Sequence, residues 1–126
     1  MDVSMAKYEN TEEIAGILRI TDHTELTMPT DMHELSPRAA AFAYGVSSSD
    51  NKAWKNVPAA PGMTEGAFLL QQYCTQHGLT PLASEWWHFN DLDARSKAVC
   101  AGQIQIAQPI GTRHWQKPHK MRQMQQ

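Results

Sequence analysis

The sequence has no apolar run approaching the about 20 residues that a membrane-crossing helix needs. No basic region followed by an apolar one stands at its start, so the sequence offers no export signal. It has only two cysteines, Cys74 and Cys100. These permit one disulfide without arguing for it, and they lack the close spacing of a structural zinc site, which leaves ordinary thiols as the simpler expectation. Acidic residues are absent after Asp93, whereas Arg95, Lys97, Arg113, Lys117, Lys120 and Arg122 all follow. A basic tail of this kind can bind an anionic polymer, but more often it is a solvated, poorly ordered end. With a net charge of −2 overall, nucleic acid is not an expected partner. What is present is 126 residues, 41% of them apolar and four of them Trp. That describes one small globular domain with a real core rather than a disordered chain.

The most informative stretch is Ser84-Glu85-Trp86-Trp87-His88-Phe89-Asn90-Asp91. It sets a carboxylate and an imidazole three residues apart, with two tryptophans between them. Zinc hydrolases need this pairing: a neutral imidazole to hold the metal and a nearby carboxylate to take a proton from the attacking water. A Glu-x-x-His pair alone is a weak signal. Two tryptophans raise its weight, because side chains that apolar are normally buried and draw Glu85 and His88 toward a dry environment, where a carboxylate is costly without a partner.

These residues carry a resemblance. Ser84 to Asp91 is similar to the active-site segment of the zinc D-alanyl-D-alanine dipeptidases and carboxypeptidases of bacterial cell-wall metabolism. The resemblance implies that Glu85 is the general base and His88 a zinc ligand. The family's other two ligands lie upstream in a His-x-x-Gly-x-Ala-x-Asp run that leads into a strand. Met1-Asp2-Val3-Ser4-Met5 resembles the end of that run and places Asp2 on the metal-binding Asp. The partnering His would fall before Met1, so the expectation is a partial domain without its N-terminal portion. Glu25 to Ser36 resembles the family's Glu-Leu-Asp-Met-(Gly/Pro)-Thr-x-Phe-Asp-Glu-x-Ser segment, which shapes the substrate site. This implies substrate contacts at Ser36, together with Trp86 and Trp87, while Thr27 and His33 stand where the pattern has Asp. The resemblance runs from Asp2 to about Asp91 and ends before Ala94.

Taken in order, Asp2 to Ala6 reads as a short strand with Val3 and Met5 on one face. Lys7 to Glu13 is turn-like, and Ile14 to Ile20 with Glu25 to Met28 reads as a hairpin, with a helix over residues 12 to 19 as the competing reading. Pro29 to Pro37 is a loop in which His33 is either an exposed histidine or a metal ligand. Arg38 to Tyr44 predicts a short helix with its alanines inward, and Gly45 to Asp50 a flexible stretch. Thr64 caps a helix whose stripe of Phe68, Leu69, Leu70, Tyr73 and Cys74 ends at Gly78. Leu79 to Phe89 is strand-like. Residues three apart point to opposite faces of a regular strand, so Glu85 and His88 can meet only across a bulge near Trp86-Trp87 or a single helical turn. Ala94 to Ala101 predicts a last helix, and His114 and His119 lie in the tail beyond it.

The expected fold is α+β, a small antiparallel sheet with one main helix packed on it, hedgehog-like and D,D-peptidase-like by the resemblance. Residues 1–93 would form the partial peptidase domain and 94–126 a short helix and basic tail. The implied activity is zinc-dependent hydrolysis of D-Ala-D-Ala peptides in the cytoplasm or cell envelope of a bacterium, impaired by the absent ligand. A catalytically inactive binder of cell-wall peptides, or an interaction module using the basic tail, are the readings from other classes.

Overall fold

The computed structural model describes residues 1–102. The fold is mixed α+β. Two strands, β1 (Ala6–Ile14) and β2 (Ile17–Glu25), form one antiparallel ribbon; β3 (Thr80–Leu82) and β4 (Glu85–Asn90) form another. Helix α1 (Glu65–Gln76) packs on the second ribbon, and α2 (Leu92–Cys100) follows β4 directly. No helix among the described residues is long and apolar enough to cross a membrane.

The single sheet of the sequence reading is thus two separate ribbons, and the hairpin is displaced from its expected place. Lys7 to Glu13 is strand rather than turn, and the reversal falls at Ala15-Gly16, with φ of 52° and 79°. Positive φ at both central residues is the type I′ geometry that matches the twist of paired strands. Every residue of β1 and β2 is exposed. With solvent on both faces no apolar alternation is required, so the usual strand signal was missing from the sequence. Arg19 and Glu12 pair at 3.5 Å on this ribbon, an exposed contact of the kind worth about 0–1 kcal/mol. The ribbon closes where Leu26 N–H donates to the carbonyl of Met5 at 3.0 Å, so the segments before and after it enter the core side by side.

The expected helix at Arg38 to Tyr44 is absent. A 3-10 turn at Pro37–Ala39 gives way to extended chain, whose backbone is claimed by distant partners. Ala41 N–H donates to the Ala83 carbonyl at 2.9 Å, and Ala43 N–H to the Pro58 carbonyl at 2.9 Å. Four alanines, Ala39, Ala40, Ala41 and Ala43, carry helix propensity, but bonds across the core override it. The inward placement of alanine does hold, since Ala39 and Ala41 are buried.

Helix α1 follows its signals. Thr64 accepts from Ala67 N–H at 3.2 Å, and Gly78, at φ 82°, takes the left-handed turn after the helix. Of the expected stripe, Leu70 and Cys74 are buried whereas Phe68, Leu69 and Tyr73 are exposed, because the helix covers only the narrow β3–β4 ribbon. His77 bonds the Tyr73 carbonyl through Nδ1 at 2.7 Å, a local helix-end contact. The last helix starts at Leu92, two residues before the expected Ala94, because Asp91 caps it by accepting from Ala94 N–H at 2.9 Å. The basic residues from Arg113 onward, with His114 and His119, lie outside the described residues.

The core gathers Ala39, Leu70, Cys74, Trp86, Trp87 and Phe89, flanked by Val3, Met5, Met28, Met32, Met63 and Leu79. Gly66 matters here for its lack of a side chain. A Cβ at that position would stand 2.7 Å from the Thr27 carbonyl oxygen and 2.9 Å from Leu26 Cβ. The first turn of α1 is therefore pressed against the loop that feeds the site, and Thr64 Oγ1 donates to the same Thr27 carbonyl at 2.7 Å.

Two substitutions test this packing. Trp87→Ala removes a side chain that is 1% exposed and should cost about 3–5 kcal/mol, read from denaturant midpoints. Gly66→Ala should cost about 1–3 kcal/mol, since backbone rather than a movable side chain blocks the new methyl; a stability equal to wild type would show that the loop gives way freely.

Candidate active site

Consecutive Trp86 and Trp87 are both buried, which a regular strand with one solvent face does not permit. The ladder shows how they manage it. Between the pairs Pro81↔Phe89 and Leu82↔Glu85, β3 advances from 81 to 82 while β4 advances from 85 to 89. The surplus residues, Trp86, Trp87 and His88, bulge from the pairing with β3. The expected irregularity is thus present, and it brings Glu85 Oε2 to 3.6 Å from His88 Nδ1.

The free side of the bulge is taken by the N-terminus. Val3 N–H donates to the Trp87 carbonyl at 3.0 Å and Phe89 N–H to the Met1 carbonyl at 2.9 Å, with Asp2 opposite His88 in an antiparallel bridge. Directly opposed residues share a face. His88 Nδ1 accordingly meets Asp2 Oδ1 at 2.9 Å. The strand expected over Asp2 to Ala6 is reduced to this one bridge, although its alternation is kept, with Val3 and Met5 half-buried and Asp2 and Ser4 exposed.

The other Asp2 oxygen, Oδ2, lies 3.0 Å from Nε2 of His33. His33 stands in the left-handed region at φ 68°, and its ring meets Trp87 edge-on with centroids 5.9 Å apart. It remains exposed, as one of the two sequence readings had it, yet it is tied into the site. The bond from His33 is the largest effect on the Asp2 carboxyl; burial opposes it, and the bond from His88 with the charges of both imidazoles adds to it, so the carboxyl is held below the usual value. His23, by contrast, sits opposite Tyr8 in the exposed ribbon.

Ser36 donates to Glu34 Oε1 at 2.7 Å, and it lines with Glu85, Ser84, Leu35, Pro37 and Ala40 a cleft of about 320 Å³. Trp86 donates through Nε1 to Thr30 Oγ1 at 2.9 Å and borders a larger cleft of about 530 Å³ with Ser4, Glu25, Asp31, Glu34 and Arg38. Trp87 is packed inside the core, with His33 lying over its edge. The structure therefore brings together Asp2, Glu85 and His88, and sets Ser36 and Trp86 on flanking clefts. Asn90, whose Oδ1 lies 3.1 Å from His88 Nε2, is the member the sequence reading passed over, while His33, read there as an exposed histidine or a metal ligand, joins through Asp2. Asn90 could have been found from its place two residues beyond His88, on the same face of a strand.

With this geometry in view, comparison with known families is direct. Residues 3–109 match the model of a peptidase family described as D-Ala-D-Ala dipeptidase. The chain belongs to that family. The match takes in Ser36, Glu85, Trp86, Trp87 and His88, and begins next to Asp2. No curated protein and no solved structure matches the chain. Family membership carries a D-Ala-D-Ala peptidase function in its coarse outline. It also poses the question of a metal. Asp2 Oδ1 and His88 Nδ1, 2.9 Å apart, are of the donor types that zinc takes. They fall short in number, because no group of three or more His, Cys, Asp or Glu side chains among the described residues can hold a metal ion. His33 reaches the opposite oxygen of Asp2 and does not complete a set.

The Asp2 network makes a prediction for the metal-free chain. The carboxyl should titrate below the ordinary 3.8 in carbon-13 NMR, and both His33→Ala and His88→Ala should raise its midpoint. A folded-state value below the unfolded one means that Asp2 stabilises the fold at pH above the unfolded value, and that this contribution is lost as pH falls through the folded one. A midpoint at or above 3.8 would show that the two imidazoles do not hold the carboxylate.

Proposed function

We propose that the chain acts on D-alanyl-D-alanine-type peptides of the bacterial cell wall by zinc-dependent hydrolysis, with weak zinc binding and low turnover in this chain. The supporting observation is the convergence of Glu85 Oε2, His88 Nδ1 and Asp2 Oδ1 through contacts of 3.6 and 2.9 Å. On this reading the β3–β4 ribbon, with the N-terminal segment bridged to it at Asp2, is the site-bearing part of a hedgehog-like fold. Asp2 and His88 would hold the metal, which when bound supplies Lewis acidity to the hydrolytic step. Glu85 takes the proton of the attacking water at Oε2 and returns it to the leaving amine. Its half-buried setting beside Trp86 strengthens these electrostatics by excluding solvent. Ser36, on the cleft shared with Glu85, contacts the peptide; Trp86 walls the other side, and Trp87 holds the strand from beneath.

The shortage of donors among the described residues favours a second reading, in which the cleft binds such peptides without cleaving them. Two experiments separate the readings. Glu85→Gln should keep fold and zinc content while lowering turnover of D-Ala-D-Ala by about 10²–10⁴-fold. Elemental analysis of the dialysed chain should find well under one zinc per chain, and joining a His-x-x-Gly-x-Ala segment ahead of Asp2 should raise both zinc content and rate. Near-normal hydrolysis by Glu85→Gln removes the assignment of the base. Peptide binding with no turnover in either form, zinc added, establishes the second reading instead.

A further inference from the structure

Neither the core nor the site uses the β1–β2 ribbon. All its strand residues are exposed, and the large apolar side chains of Tyr8, Ile14, Ile17, Leu18 and Ile20 stand between 51% and 71% open to water. A two-stranded ribbon with nothing packed on it is marginally stable; a further layer over its apolar face is what makes such a ribbon hold. In the ladder Glu13 faces Leu18 and Thr11 faces Ile20. Opposed residues share a face, as do residues two apart on one strand, so these four form one strip, apolar along β2 with a carboxylate beside it.

The ribbon is also acidic. From Ala6 to Glu25, the five carboxylates of Glu9, Glu12, Glu13, Asp22 and Glu25 stand against the two cations of Lys7 and Arg19, a net of −3. Of the five, Glu12 alone has an ion-pair partner among the described residues, Arg19. We infer that the ribbon is the docking surface for the chain's own C-terminal segment, residues 103–126, which covers the strip of Leu18 and Ile20 and sets its cations among the carboxylates.

Charge, pattern and reach select that occupant. The segment carries Arg113, Lys117, Lys120 and Arg122 and no acidic residue, so its +4 complements the −3 of the ribbon. It opens Gln103-Ile104-Gln105-Ile106, apolar at every second residue, the period that lets one side of an extended chain meet an apolar strip while the other keeps to water. Extended chain covers about 3.3 Å per residue, so residues 103–126 reach about 80 Å, against about 30 Å for a nine-residue strand. A second copy of the ribbon is the poorer occupant, because it would set −3 against −3. The docking does not depend on the peptidase reading.

Paramagnetic broadening in the full chain tests it. Cys100→Ser/Gln108→Cys protein, nitrogen-15-labelled and carrying a nitroxide at position 108, leaves buried Cys74 untouched. Its β1–β2 amides should lose most of their intensity and regain it when the nitroxide is reduced. Adding Glu13→Lys/Asp22→Lys should restore the intensity, and so should Leu18→Ser/Ile20→Ser; all four positions are exposed, so the core is not disturbed. In about 1 M salt, where the Debye length is about 3 Å, part of the intensity should return. Unbroadened ribbon amides, or broadening that both double variants leave unchanged, overturn the inference. Equal broadening from a nitroxide on a separate copy, mixed with labelled protein that has none, assigns the contact to a second chain and overturns it too. So does an unbroadened ribbon with signals of residues 103–126 shifting on addition of inorganic polyphosphate, which gives the segment to an anionic polymer. If a double variant does not fold, the broadening and its salt dependence on the unaltered ribbon decide.

Discussion

Burial of two consecutive tryptophans is the constraint on which this structure turns. Trp86 and Trp87 are 3% and 1% exposed, and full burial of side chains this large is among the strongest apolar contributions a small domain has. A flat strand would have sent one of them to solvent. The chain instead bulges through Trp86, Trp87 and His88, meeting β3 only at the two ends. Bulges raise local twist and re-aim side chains, and here the consequence is that Glu85 and His88 converge. The core and the chemistry are thus one feature of β4: the packing that buries the tryptophans aims the carboxylate and the imidazole.

The second dependency is the edge that the bulge leaves open. Met1 to Val3 fills it with main-chain bonds to Trp87 and Phe89, and the bridge at His88 delivers the Asp2 carboxylate. The network is open to solvent in part, the Asp2 side chain being 40% exposed. Geometry contributes most. Asp2 is held between His33 and His88, and His88 between Asp2 and Asn90, so each polar group has a partner before any ligand arrives. Such a chain of bonds orients its members together, and changing one is felt by the next.

The β1–β2 ribbon stands apart from this arrangement. None of its strand residues is buried, and a lone two-stranded ribbon gains little stability by itself. Its contribution to the site is topological. By joining Met5 to Leu26 it sets the N-terminal segment beside the loop that carries Thr30 and His33, and the first turn of α1 then clamps that loop through Thr27.

Read alone, the sequence determined the features that depend on near neighbours: the Thr64 cap and Gly78 stop of α1, the alternation of Val3 and Met5, the presence of a last helix, and the Glu-x-x-His pair between tryptophans. It also carried the family, through side chains whose chemistry is recognisable before their positions are. Where solvent or distant backbone replaced the local signal, it misled. The ribbon has water on both faces and no apolar period, and Ala41 and Ala43 give their backbone bonds to Ala83 and Pro58 instead of to a helix. Only the tertiary structure decided the site's membership. Asp2 meets His88 across 86 residues and His33 across 31, and contacts so far apart in sequence exist only once the chain has crossed its own core.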